Sequence, residues 1–140
     1  MNSSKRPRVI VDTNVFISAI FWGGNPLKVI NLWRVEEKYD LIISPEILAE
    51  IISKLKYKFF LPQSLLNEWK ELLTSRAILI IPKDKVNLCR DSQDNILLES
   101  ALAGKTDFLI TGDKDLLSLK QFKKTQIVSP KQFLKLKIWA

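Results

Sequence analysis

The chain has 140 residues, 46% of them hydrophobic and 26% charged, with a net charge of +7, one cysteine and no histidine. This length and balance predict one domain over residues 1–140 with a core of its own, and exclude a disordered or collagen-like chain. Cys89 has no partner for an internal disulfide, and no run reaches the ~20 apolar residues of a membrane span; the expectation is a cytoplasmic protein with no membrane partner.

Residues 1–7 are polar and basic and read as a flexible lead-in. Arg8 to Val11 is a short apolar run, read as a buried strand that runs straight into Asp12-Thr13-Asn14. Asp12 has two readings: the N-cap of a helix through Val15, Phe16 and Ile17, or a ligand at a strand end. Asn14 is either a donor that orients Asp12 or a simple turn residue. Trp22-Gly23-Gly24 reads as a loop, and Asn25-Pro26 as a helix start. Asp40 to Ser44 is a second strand. Ser44-Pro45 is a cap with proline at the first helical position, so a helix runs from there toward Tyr57.

Pro62 starts another helix, with Leu65, Leu66, Trp69, Leu72 and Leu73 on one side. Ala77 to Ile81 is a third strand. Gln93 to Ala103 is a helix that is apolar nearly all round, hence buried, and Gly104 is read as its terminator. Phe108 to Thr111 is a fourth strand, Asp113 to Leu119 a short helix, Gln126 to Val128 a fifth strand, and Pro130 opens a last helical turn. Strands that alternate with helices predict an α/β fold with a mostly parallel sheet.

Ligands in such folds sit beyond the carboxyl ends of the strands, where Asp12 and Asp113 fall. Clustered carboxylates repel one another unless a cation sits among them, and hard oxygen ligands favour Mg²⁺ or Mn²⁺. With no histidine and one cysteine, little else could carry demanding chemistry. The pattern predicts a metal-dependent enzyme acting on phosphate esters, and the basic surface suits a polyanion.

Each acidic block holds a choice. Against the face set by Ile47, Leu48, Ile51, Ile52 and Leu55, Glu46 lies roughly 170° away and Glu50 roughly 130°. Glu50 is therefore preferred, and Glu46 is left as a first-turn acid that complements the helix dipole. Asp94 is closer to the buried helix than Asp91, which reads as its N-cap. Asp113 is nearer the strand end than Asp115, which is a second ligand, a partner that orients a ligand, or a first-turn helix acid. Thr111 supplies a hydroxyl to the site or to the turn. Phe21, Trp22, Phe59, Phe60 and Trp69 could stack on unpaired bases, but core packing or a protein interface is the preferred reading.

Together the blocks Val9-Ile10-Val11-Asp12-Thr13-Asn14-Val15, Ser44-Pro45-Glu46-Ile47-Leu48-Ala49-Glu50-Ile51, Asp91-Ser92-Gln93-Asp94-Asn95 and Asp107 to Leu116 resemble the PIN-domain nucleases, especially the toxins of toxin–antitoxin pairs. The resemblance runs from Arg8 to about Phe133. It implies a three-layer sandwich around a mostly parallel five-stranded sheet in the order 3-2-1-4-5. It also implies cleavage of single-stranded RNA with Mg²⁺ or Mn²⁺, a cognate antitoxin as partner, and leaves a homodimer open. By motif, Asp12, Glu50, Asp94 and Asp113 match the family's acidic set, with Asn14 and Thr111 at supporting positions. Thr106 stands where an alanine is usual, and Glu99 interrupts an otherwise apolar helix.

Two other readings stay open on sequence grounds. One is a phosphoryl-transfer or phosphate-receiving α/β domain with Asp12 as nucleophile. The other is a non-catalytic RNA-binding module.

Overall fold

Three β-branched residues carry the chain into the middle of a sheet. In the computed structural model, which describes residues 6–139, strand β1 is Arg8–Val11, and Val9, Ile10 and Val11 are buried. Of the lead-in read over residues 1–7, residues 1–5 lie outside the described residues. Arg6 and Pro7 are fastened to the neighbouring strand: the Arg6 guanidinium pairs with Asp40 at 3.3 Å, and the Asp40 N–H donates to the Pro7 carbonyl at 2.9 Å.

Helix α1 (Thr13–Trp22) is followed by α2 (Gly24–Arg34), and the two axes meet at 103°. The loop read at Trp22-Gly23-Gly24 contracts to a single residue, and Trp22 belongs to α1. Gly23 makes the corner with φ of 72°, a conformation that costs glycine least. Strand β2 (Asp40–Ile43) ends at Ser44, whose hydroxyl accepts from the Ile47 N–H at 3.3 Å and caps α3 (Pro45–Ser53). The helix then widens into a π-helical turn over Lys54–Lys58. Pro62 is the N-cap of α4 (Gln63–Arg76) and not its first helical residue. Strand β3 shrinks to Ile78–Leu79, both exposed at the sheet edge.

Helix α5 (Ser92–Gly104) is buried along most of its length, as an all-round apolar helix must be. Its polar residues have employment. Asn95 Oδ1 accepts from the Leu88 and Cys89 N–H groups at 3.1 and 2.8 Å, and Glu99 Oε2 accepts from the Val86 N–H at 3.0 Å. Together they hold the irregular segment before α5 against the helix. Gly104 is not the left-handed terminator expected. That conformation falls on Lys105, with φ of 50°. Gly104 is needed because a Cβ there would lie 2.6 Å from Ile42 Cγ2.

Strand β4 (Phe108–Ile110), helix α6 (Lys114–Leu119), strands β5 (Gln121–Phe122) and β6 (Thr125–Val128), helix α7 (Pro130–Leu134) and a 3₁₀ turn at Lys137–Trp139 complete the chain. Buried Thr106 and Thr125 bond through their hydroxyls at 3.0 Å, which accounts for a threonine where an alanine was expected.

The sheet has six strands in the order β3-β2-β1-β4-β6-β5. The expected five-strand order survives within it, and β5 is an addition, antiparallel to β6 at the edge, while the other pairings are parallel. No single helix among the described residues is long and apolar enough to cross a membrane. The strand order brings the carboxyl ends of β1 and β4 side by side at the centre of the sheet.

Candidate active site

Asp12 leaves β1 as the N-cap of α1, and its backbone N–H donates to the Ile110 carbonyl at 2.9 Å. Its carboxylate is nearly buried and held at both oxygens. Thr111 Oγ1 donates to Oδ2 at 2.7 Å, and the Asn14 N–H donates to Oδ1 at 3.2 Å. The Thr111 hydroxyl also accepts from the Asp113 N–H at 3.0 Å. One buried threonine thus fixes both the Asp12 carboxylate and the backbone of the neighbouring strand end. Burial lifts the Asp12 pKa above the usual range, and the charges of Glu50 and Asp113 add to the rise; the bonds from Thr111 and Asn14 oppose it.

Asp94 projects from the first turn of α5. It is buried, and its Oδ2 has no hydrogen-bond partner. Its pKa is pushed up to about 7, first by burial, then by hydrogen-bond contact with Asp113 and by the charges of Asp113, Asp91 and Asp12. Neighbouring carboxyl groups in a buried cleft cannot all ionise cheaply. Glu50 reaches the same cleft from α3, half-buried, while Glu46 is exposed. The helical arithmetic thus agrees with where the two side chains lie.

These groups line one cleft of about 560 Å³ together with Asn14, Ser18, Lys54, Asp91 and Gln93. Asp91 is exposed at the rim, where it caps α5 by accepting from the Gln93 N–H at 2.9 Å. Asp113 caps α6 by accepting from the Asp115 N–H at 3.0 Å. Asp115 itself is not part of the lining. Its carboxylate turns to Arg90 at 3.1 Å on the surface, so the reading of Asp115 as a second ligand has no geometric support here.

Lys54 is the cleft residue that sequence reasoning passed over. Its Nζ donates to Asn14 Oδ1 at 3.1 Å and stands 4.0 Å from Glu50 Oε2. The available signal was its position one helical turn after Glu50 on the same face. The Asn14 side chain consequently faces Lys54, and it is the Asn14 backbone N–H that meets Asp12.

Among the described residues no three Asp, Glu or Cys side chains close into a ready cage for a metal ion. The donor set nonetheless fits a hard divalent cation. It consists of carboxylate oxygens, one of them buried and unpartnered, in a cleft whose acids raise one another's pKa. Such a cation would relieve the repulsion that raises the pKa of Asp94.

The chain matches the PIN domain family over residues 8–115. It is similar to the Uncharacterized protein MJ1680 of Methanocaldococcus jannaschii, 34% identical, with 91% of this chain and 89% of that protein covered. Among solved structures it is similar to the crystal structure of VapBC2 from Rickettsia felis bound to a DNA fragment from their promoter. The TM-score is 0.59 at 14% identity, covering 87% of this chain and 98% of that one, a likeness of fold.

Proposed function

The chain belongs to the PIN domain family, and from that membership and the acidic cleft we propose that it is a divalent-metal-dependent endoribonuclease acting on single-stranded RNA, the toxin of a toxin–antitoxin pair. The observation that carries the reading is Asp94, a buried carboxyl with an unpartnered oxygen and a pKa near 7 beside Asp113 and Asp12. Asp12, Asp94 and Asp113 would hold Mg²⁺ or Mn²⁺, with Glu50 close by. When bound, the cation supplies positive charge to the phosphoryl oxygens and makes a water molecule more acidic.

The protein's own contribution is positioning. Thr111 and the Asn14 N–H lock the Asp12 carboxylate in one orientation, so it needs no reordering as charge develops. Glu50, reaching the cleft from α3, is the carboxylate left to accept the proton of the attacking water. Lys54 holds Asn14 in place and offers an ammonium to a phosphate entering the cleft. The net charge of +7 supports a polyanion substrate, held by lysines and arginines outside the acidic centre. An antitoxin partner fits the PIN-domain membership and the fold likeness to the VapBC2 structure.

The test incubates labelled single-stranded RNA with purified protein, with and without Mn²⁺, beside the Asp12→Asn variant. Cleavage by wild type alone, and only with the cation, is expected. Equal cleavage by both proteins marks a contaminant. No cleavage by either, with an acid-stable, base-labile phosphate adduct formed on wild type from an added small phosphodonor whose leaving group departs, replaces the nuclease reading by phosphoryl transfer to Asp12.

A further inference from the structure

The cleft opens onto a ledge of opposite chemistry. Ser18 of α1 lines the cleft, and Phe21 and Trp22 follow it by one turn, about 5 Å along the axis. Lys54 lines the cleft from the other side and begins the π-helical turn that leads to Phe59 and Phe60. The two segments meet there. The rings of Phe21 and Phe59 stack with centroids 4.8 Å apart, and Trp22 stands 5.9 Å from each. Phe59 anchors the cluster on the core, but Trp22 is 69% exposed and Phe21 36%, and Phe60 beside them is exposed too.

The charge of the ledge is one-sided. Residues 13–35 and 51–67 contain no Asp or Glu, while Lys54, Lys56 and Lys58 fall within five residues. The Lys56 and Lys58 ammonium groups lie 5.0 and 5.7 Å from the ring centroids of Tyr57 and Phe59. Among the described residues no cation covers the Trp22 ring, so that face is available to a planar partner. An exposed aromatic face, Lys56 and Lys58 with no ion pair among the described residues, and continuity with the cleft suit an unpaired nucleotide strand. Resting on the ribonuclease reading of the cleft, we propose that this ledge is a base-stacking subsite for single-stranded RNA. Trp22 stacks on a base flanking the scissile phosphate, and Lys56 and Lys58 meet the adjoining phosphates.

The experiment measures binding of a labelled single-stranded oligoribonucleotide by anisotropy in EDTA, where no bond is cut. Trp22→Ala should weaken binding roughly 5- to 100-fold, with Trp22→Phe retaining most of it. Removing both Lys56 and Lys58 should lower the slope of log affinity against log salt by about 1.4, at roughly 0.7 per phosphate contact. An oligonucleotide of the same length without bases should bind wild type and Trp22→Ala alike. The exposure of Trp22 means the variant should fold, which circular dichroism checks. Unchanged RNA affinity of Trp22→Ala overturns the proposal. So does a change confined to self-association in sedimentation, which would make the ledge a protein contact. Because binding is read without cleavage, the two readings fail separately. Loss of Mn²⁺-dependent cleavage removes the nuclease, and Trp22-independent binding removes only the ledge.

Discussion

Replacing Asp94 by asparagine should make the cation-free protein more stable, and more so as the pH rises. The side chain is 5% exposed with Oδ2 unpartnered, and its pKa stands at about 7 against an ordinary 3.8. A carboxyl raised in the folded state contributes stability that is fully present below the unfolded value and is lost as pH climbs through the folded one. The window therefore runs from 3.8 to about 7. At about 1.4 kcal/mol per unit the whole displacement corresponds to about 4 kcal/mol. Water entering the cleft and sharing of the proton with Asp113 reduce this to about 1–3 kcal/mol. For a chain of this length that is a rise of roughly 3–10 °C in melting temperature. Thermal unfolding followed by circular dichroism in EDTA is the assay. The gap between variant and wild type should be small near about pH 4 and largest above about pH 8. Mn²⁺ should raise the melting temperature of wild type, more strongly at higher pH because protons compete for the same oxygens, and should do little for the variant. A variant no more stable than wild type at the higher pH, or a gap that narrows as pH rises, refutes the reasoning.

Asp12→Asn should abolish cleavage on a gel while leaving the circular dichroism spectrum unchanged. Thr111→Val should cost about 1–3 kcal/mol in denaturant unfolding, because it strips a buried carboxylate of its 2.7 Å bond; a neutral outcome would show that the bond is not needed. Asp91→Asn should lose far less activity than Asp94→Asn, since Asp91 is exposed and its main bond is a helix cap; equal losses would reverse the choice between them. Gly104→Ala should destabilise by about 1–3 kcal/mol through overpacking against Ile42, despite alanine's better helix propensity, and an unchanged melting temperature would mean that the helix shifts freely.

Much of the architecture could be read along the chain because it is encoded by near neighbours. Val9-Ile10-Val11 ahead of Asp12 states both a buried strand and a carboxylate at its end. Ser44-Pro45 states a helix start, and a helix with apolar residues on nearly every side has to be the buried α5. Simple helical geometry preferred Glu50 to Glu46, and depth along α5 preferred Asp94 to Asp91; in each pair the first is the more buried. What was misread depended on residues far away in sequence. Gly104 does end α5, but what requires a glycine there is the side chain of Ile42 on β2, and the left-handed residue is Lys105. Strand β5, only two residues long, carries no periodicity of its own and exists through its pairing with β6. The choice among the roles left open for Asp115 likewise needed a distant residue: it lies in the first turn of α6 with its carboxylate on Arg90.

The sequence by itself determined the class of fold and the chemistry available to it, because alternation, capping and the supply of carboxylates are local or compositional properties; the order of the central strands came only through the resemblance to the PIN-domain nucleases. Tertiary structure alone decided which of those carboxylates meet. It set Thr111 against Asp12 across 99 residues and Lys54 against Asn14 across 40, and it stacked Phe21 on Phe59. Those encounters follow from how helices settle on a twisted sheet. The burial that brings the side chains together is also what raises the pKa of Asp12 and Asp94.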